Sequence, residues 1–499
     1  LLNAVVVRRF GEALKEAAAA DAQLAAGFTP TRSVSEGAPL VGVPITIKEC
    51  FHLAGTPCTI GIDSSERQEI FQHEAVLVRR LKQAGAVILG KTNVPQLMIW
   101  HECDNPVYGR TNNPWDLDRT CGGSTGGEAA IVAAGGSPLG LGNDLGGSIR
   151  VPCHFCGIHG LKPTSYRLPR GGVTVALRGF ESLVTQPGPM ARHVEDLWLA
   201  MQVLAEDSDG YVAGDVVPAK LPDPHEVRID QLTIAVLPDD GVFPASPAIQ
   251  RAVRESADAL RERGAKIVEL APADFGGSLS LEEVFDMYCG FIGADGAADC
   301  RRFLQGSTVD WRVWRMVTLA SLWSLSRWAL ALGLKLGGQR WMARLLEVAR
   351  PLSADEFWQL THRKTAYVAS VISGLKARGI DAILCPPHAL PAMQHTKGFD
   401  LLAAASYAYL FNLLSFPAGV VSLTRVRSDE EDSRPDSRDR VLQEAREVDL
   451  GSAGLPVGVQ VAGLPWREDI VLAVMSALER SFCEKPDYPC NIAVPTSKN

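Results

Sequence analysis

Apolar positions along the chain switch between helical and strand-like spacing. Residues 6–26, rich in Ala, Leu and Glu, read as a helix, and Val41–Ile47 reads as a short β-branched strand bounded by Pro39 and Lys48. A helical pattern from Ala75 to Gln83 runs into Gly85, after which Ala86–Leu89 reads as a buried strand. One short helix is predicted over Glu128–Ala134, strands over 230–237 and 455–462, and an amphipathic helix over 248–264. Alternation of this kind predicts an α/β layer fold. Residues 427–449 are almost wholly polar, which predicts a partly solvated excursion with a helix over 438–448.

A length of 499 residues allows roughly three domain-sized units, and a chain this long can bury a large core without a disulfide or metal staple. The glycine-rich centre and the later strands look interdependent, so the expectation is one catalytic domain over 1–499. A formal charge of -8 argues against a dedicated nucleic-acid binder. The odd count of 11 cysteines reads as reduced thiols in an intracellular compartment. Cys153 and Cys156 form a lone CxxC, for which buried structural thiols are expected rather than a zinc or redox site. No signal peptide and no uninterrupted run of 18 or more apolar residues is read.

Two motif matches mislead. Gly85-Ala-Val-Ile-Leu-Gly90-Lys91-Thr92 satisfies the P-loop expression, but its four middle residues are themselves the strand, and Pro95 interrupts the helix a P-loop needs. Gly122-Gly123-Ser124-Thr125-Gly126 satisfies the nucleophile-elbow pattern, which requires a later acid and histidine. His388 and His395 keep that reading open, although no strand of bulky residues leads into Gly122.

Stronger chemistry lies in Asn143-Asp-Leu-Gly-Gly-Ser-Ile-Arg150. Two glycines before a hydroxyl let successive N–H groups converge on one oxygen, as an oxyanion hole requires. Read alone, the same stretch equally suits a phosphate or a tight structural turn. Lys48, at the end of an apolar strand, is a candidate for desolvation toward a general base's pKa, with an ordinary lysine beside Glu49 as the alternative.

Lys48, Gly122-Gly-Ser-Thr-Gly-Gly-Glu128 and Asp144-Leu-Gly-Gly-Ser-Ile-Arg150 together resemble the amidase signature family. Gly42–Phe51, Thr92–Gln96, Asn113-Pro-Trp115, Phe155–Thr164, Phe416–Val420 and Gly454–Trp466 extend the likeness over about residues 38 to 475, most of all toward members that act on fatty acid amides. The resemblance implies a mixed, twisted central sheet covered by helices on both faces. It implies a Ser-Ser-Lys triad, with Ser148 as nucleophile, Ser124 as bridging serine and Lys48 as base. It also implies a cis bond between Gly123 and Ser124, and an oxyanion hole from the N–H groups of Leu145, Gly146, Gly147 and Ser148. Met98, Ile99, His101 and Gly123 would contact substrate, with no metal and no other cofactor. Thr125 stands where a second serine is usual, Asn143 where a threonine is usual, and His101 where an aromatic ring is usual.

Residues 311–346 add a separate signal. Trp311, Trp314, Trp323, Trp328 and Trp341 lie among leucines with Arg312, Arg315, Arg327, Lys335, Arg340 and Arg344 and no acid. Gly333, Gly337 and Gly338 would separate two helices. Such segments sit among anionic headgroups, so 311–346 reads as a membrane-contacting cap, with a buried helix pair as the bland alternative. The combined expectation is a monotopic or peripheral hydrolase of lipid amides such as N-acyl ethanolamides, on the cytosolic face of the endoplasmic reticulum, with a homodimer among the allowed assemblies and no nucleic-acid partner. A soluble amidase of small or aryl amides and a non-catalytic membrane scaffold are the rival readings.

Overall fold

A computed structural model describes residues 1–31, 37–206, 216–275, 277–432 and 434–489. The eleven strands among the described residues join one mixed sheet in the order β1-β3-β2-β4-β6-β5-β10-β11-β9-β7-β8. The strands are β1 Val5–Arg8, β2 Pro44–Lys48, β3 Val87–Thr92, β4 Leu139–Asp144, β5 His159–Lys162, β6 Gln186–Ala191, β7 Thr233–Val236, β8 Lys266–Glu269, β9 Ala382–Cys385, β10 Ala418–Arg425 and β11 Pro456–Gly463. β2 runs parallel to both β3 and β4, and β7 parallel to β8 and β9, while the pairs between them are antiparallel. Central strands such as β4 and β11 are buried along their whole length, which explains why their sequences do not alternate. Helices flank the sheet: Val194–Ala205, Glu468–Phe482 and Pro247–Glu262 pack in succession, and Gly126–Ala133 lies against Arg150–Cys156.

Most predicted elements form, with shifted ends. The helix expected over 6–26 starts only at Phe10, because Val5-Val6-Val7 extends as edge strand β1 against β3. The strand expected from Val41 starts at Pro44, since Gly42 turns the chain at φ +73°. Gly85–Thr92 is a turn and strand β3, and Lys91 is buried with its Nζ donating to the Pro57 carbonyl. The polar stretch near 440 forms the helix Arg440–Asp449, but it is anchored: Val441, Ala445 and Val448 are buried, and Arg434 donates to Asp449 Oδ2 at 2.8 Å. Residues 311–346 hold three helices instead of two. Trp311–Ala320, Ser324–Leu336 and Arg340–Val348 are broken at 321–323 and at Gly337-Gly338, while Gly333 lies inside a helix. The ten described cysteines, Cys153 and Cys156 included, are free thiols, and Cys490 lies outside the described residues.

Candidate active site

Strand β2 carries Lys48 into the interior, where the side chain is fully buried. Its Nζ lies 2.7 Å from Ser124 Oγ, 3.0 Å from Thr125 Oγ1 and 2.7 Å from Asn143 Oδ1. All three neighbours are uncharged, so burial dominates and lowers the Lys48 pKa to about 8, against weaker opposing effects of Cys50, Cys103, Asp144 and Glu128. A neutral amine keeps two N–H donors, which suit Asn143 and Thr125, and one lone pair, which then faces Ser124.

Ser124 follows a cis peptide bond from Gly123, and its Oγ lies 3.0 Å from Ser148 Oγ. Only glycine fits at 123, where a Cβ would collide with the carbonyl oxygens of Trp100 and Glu102. Ser148 stands on the turn between β4 and the helix Arg150–Cys156, after Gly147 at φ +93°.

That turn is braced by a buried carboxylate. Asp144 accepts from Gly147 N at 2.8 Å, Ile149 N at 3.1 Å, Arg150 Nε at 3.0 Å and Asn412 Nδ2 at 2.9 Å. Burial alone would push the Asp144 carboxyl up, but the Arg150 guanidinium and these hydrogen bonds hold it well below the usual carboxylate range. Among the described residues the N–H groups of Leu145, Gly146 and Ser148 have no partner, whereas that of Gly147 is already given to Asp144. The expected four-donor set thus has three free members.

Ser148 opens into an apolar cavity of about 210 Å³. Met98, Ile99 and His101 line it, together with Phe285, Met316 and Leu345, whereas Gly123 does not. Leu97 and Met98 both hold left-handed backbone, at φ +62° and +59°, which turns the chain into the cavity wall. His101 does more than wall the cavity: its Nε2–H donates to the Gly146 carbonyl at 2.9 Å, and its ring stacks on Tyr409. Burial lowers its pKa, so the ring stays neutral. The rival histidines stand apart from the serines. His388 Nδ1 engages the Leu390 main chain, and His395 Nε2 donates to the Leu117 carbonyl, so no Ser-His elbow forms.

Residues to which the sequence assigned no role complete the site. Asn143 and Thr125 hold Lys48, and Asn412 with Gln460 holds Arg150. Glu128, behind Lys48, is bonded to Thr46 and Thr92, and burial raises its carboxyl to about 8. The signal available was its place three residues after Thr125, on the inner side of a helix too apolar to face water.

Helices of the 311–346 segment form part of the cavity wall through Met316, Leu319, Met342 and Leu345. Their outer side exposes Trp311, Trp314, Trp323, Leu325, Trp328 and Leu336, with Trp323 84 % and Leu336 82 % exposed. Trp341 instead packs inward against Phe243 and Phe285. Most basic residues there are already paired: Arg312 with Glu102, Arg315 with Asp400, Lys335 with Glu347 and Arg344 with Asp286. Arg327 is buried and donates to the carbonyls of Ala320, Leu322, Leu346 and Ala349. This corrects the picture of a freely basic face, since acids from elsewhere in the chain neutralise it. No single described helix is long and apolar enough to cross a membrane. Trp311–Ala320 and Ser324–Leu336 would suffice together by length and composition, but they are bent by 112°.

A family model described as Amidase matches residues 1–472. Fatty-acid amide hydrolase 1 of Sus scrofa is 36% identical over 450 residues, which covers 88% of this chain and 76% of that protein. Indoleacetamide hydrolase of Bradyrhizobium diazoefficiens is 39% identical over 295 residues, 58% of this chain and 52% of that protein. The solved structure of a fatty acid amide hydrolase superposes with a TM-score of 0.79 at 26% identity, covering 96% of this chain and 79% of that one. This chain is a member of the amidase signature family.

Proposed function

We propose that the protein hydrolyses long-chain fatty acid amides through an acyl-enzyme on Ser148, as one catalytic unit with the 311–346 helices as its membrane-contacting cap. The observation that carries this reading is a Lys48–Ser124–Ser148 chain of contacts that ends in an apolar cavity walled by helices with exposed tryptophans. The likeness to fatty-acid amide hydrolase 1 points the same way.

Neutral Lys48 takes the Ser124 proton while Ser124 takes that of Ser148, whose Oγ bonds to the amide carbon. The N–H groups of Leu145, Gly146 and Ser148 stabilise the oxyanion, each such donor contributing roughly 3 to 4 kcal/mol to the transition state. As the C–N bond breaks, Ser124 protonates the leaving nitrogen and recovers a proton from Lys48. A water then attacks the acyl ester by the same relay, giving the fatty acid and regenerating Ser148. The exposed tryptophans of the cap and the free thiols support the reading of a membrane face in a reducing compartment, which we assign to the cytosolic face of the endoplasmic reticulum.

A second reading, hydrolysis of small or aryl amides in solution, is favoured by the identity to indoleacetamide hydrolase. Turnover of oleamide and of an aryl amide, with and without phospholipid vesicles, decides between them. Oleamide turnover raised by vesicles and lost in Ser148→Ala supports the lipid reading. Aryl-amide turnover indifferent to vesicles moves the assignment to a soluble amidase, and no Ser148-dependent turnover of either leaves a non-catalytic scaffold.

A further inference from the structure

The helix Trp311–Ala320 reaches the catalytic core through one buried guanidinium. Arg312, 2 % exposed, donates from Nη1 to Glu102 Oε2 at 3.1 Å and from Nε and Nη2 to the two oxygens of Asp310 at 2.8 and 2.6 Å. Its Nη2 also lies 3.2 Å from Asp104 Oδ2. Glu102, 1 % exposed, accepts in addition from Thr396 N at 2.8 Å and Gly398 N at 2.7 Å. The planar fork of Arg312 grips Asp310 at the head of its helix and so aims Nη1 at Glu102, whose other contacts hold it to residues 396 and 398.

Glu102 belongs to a main-chain stretch that touches both serine-bearing loops. The carbonyls of Trp100 and Glu102 close onto Gly123, which precedes Ser124, with no room for a Cβ between them. His101, between those two residues, donates to the Gly146 carbonyl on the turn that bears Ser148. The helix that carries Arg312 also lines the cavity with Met316, Leu319 and Ala320, and exposes Trp311 and Trp314.

We propose that Arg312 and Glu102 are positioning residues for the reaction: their ion pair ties the cavity-lining helix to segment 100–102, and that segment sets Ser124 against Ser148. This rests on the reading of Ser148 as nucleophile. Dense packing leaves segment 100–102 no slack, so a shift at Glu102 displaces Gly123 and the Gly146 turn together. Misplacement on the scale of 1 Å costs roughly 100-fold in rate even when its source is remote from the chemistry.

The test is Arg312→Lys, which keeps the charge and loses the fork, followed by kcat and KM for a water-soluble amide, the rate at which a fluorophosphonate labels Ser148, and Tm. KM holds while kcat and the labelling rate per folded molecule fall together, by roughly 10- to 100-fold. Glu102→Asp, shorter by one methylene, gives the same split and serves where Arg312→Lys does not fold. Parent labelling rate in a folded Arg312→Lys overturns the proposal, as does a raised KM at unchanged kcat, which would make Arg312 a cavity-wall residue only. Failure of both variants to fold assigns the pair to stability and overturns it too. A parent that is not labelled, or is labelled no faster than Ser148→Ala, instead brings down the nucleophile assignment itself, which separates the two failures.

Discussion

Between Lys48 and Arg150 the chain buries charge, whereas between Trp311 and Leu336 it exposes tryptophan and leucine. Lys48, Glu128, Asp144 and Arg150 are all fully buried, while Trp311, Trp314, Trp323 and Trp328 are each more than half exposed. Both regions depart from the ordinary partition of polar outside and apolar inside. Of the four in the first, Asp144 and Arg150 pair with each other and Glu128 is bonded to the hydroxyls of Thr46 and Thr92. Lys48, the fourth, touches only neutral acceptors, and burial lowers its pKa to about 8. In the second, acids neutralise Arg312, Arg315, Lys335 and Arg344, so apolar area remains as the means of the proposed membrane contact. Under the proposed function, the desolvated Lys48 marks the chemistry and the exposed apolar area marks the surface that would meet lipid.

The widest break in this contrast comes from Ser148→Ala, which lowers kcat by on the order of 10⁵- to 10⁶-fold in an initial-rate assay. A residual rate within tenfold of the parent would remove Ser148 from the chemistry. Lys48→Met follows, with a loss of about 10³- to 10⁴-fold. The sign of the pH effect is set by the lowered pKa: below about pH 8 Lys48 is protonated and cannot accept from Ser124, so kcat/KM falls tenfold per unit as pH drops. Lys48→Met has no such limb, and a parent whose acid limb lies near pH 5 would contradict the neutral-lysine relay.

Smaller effects sharpen the other side. Trp323→Ala and Trp328→Ala each weaken partitioning onto phospholipid vesicles by about 10-fold, from apolar area worth roughly 25 cal/mol per Å². Cosedimentation reads this, and turnover of a water-soluble aryl amide should stay at the parent rate. A loss of that turnover would give the tryptophans a structural role. The smallest effect is salt: raising NaCl from about 0.1 to 0.5 M changes partitioning by less than about 3-fold, because the basic residues are already paired. A drop beyond about tenfold would restore the electrostatic picture that the bare sequence suggested.

Much of this was open to reading along the chain because the signals are local. Helix Val76–Gln83 and strand β11 follow from spacing and β-branching, Lys48 closes an apolar strand, and Ser124 and Ser148 each stand in a motif dense with glycine. The failures came where distant residues intervene. Val5–Arg8 looked like the start of a helix until β3 offered a strand partner. His101 looked like cavity wall until the Gly146 carbonyl came within 2.9 Å of its ring nitrogen. Residues 311–346 looked basic because their acids lie elsewhere, at Glu102, Asp286 and Asp400.

What the sequence by itself determined is the set of candidate reacting types and their immediate surroundings: a lysine closing an apolar strand, and two serines beside glycines that leave backbone N–H groups uncovered. Those properties need only near neighbours, since conformational freedom and local burial are written into a few consecutive residues. Tertiary structure alone decided which of these groups meet, over separations of 76 residues for Lys48 and Ser124 and 24 for Ser124 and Ser148. It also decided which charges are cancelled. The pKa of Lys48 depends on desolvation and on the partners that the fold places around its Nζ, and neither exists until the sheet has closed around it.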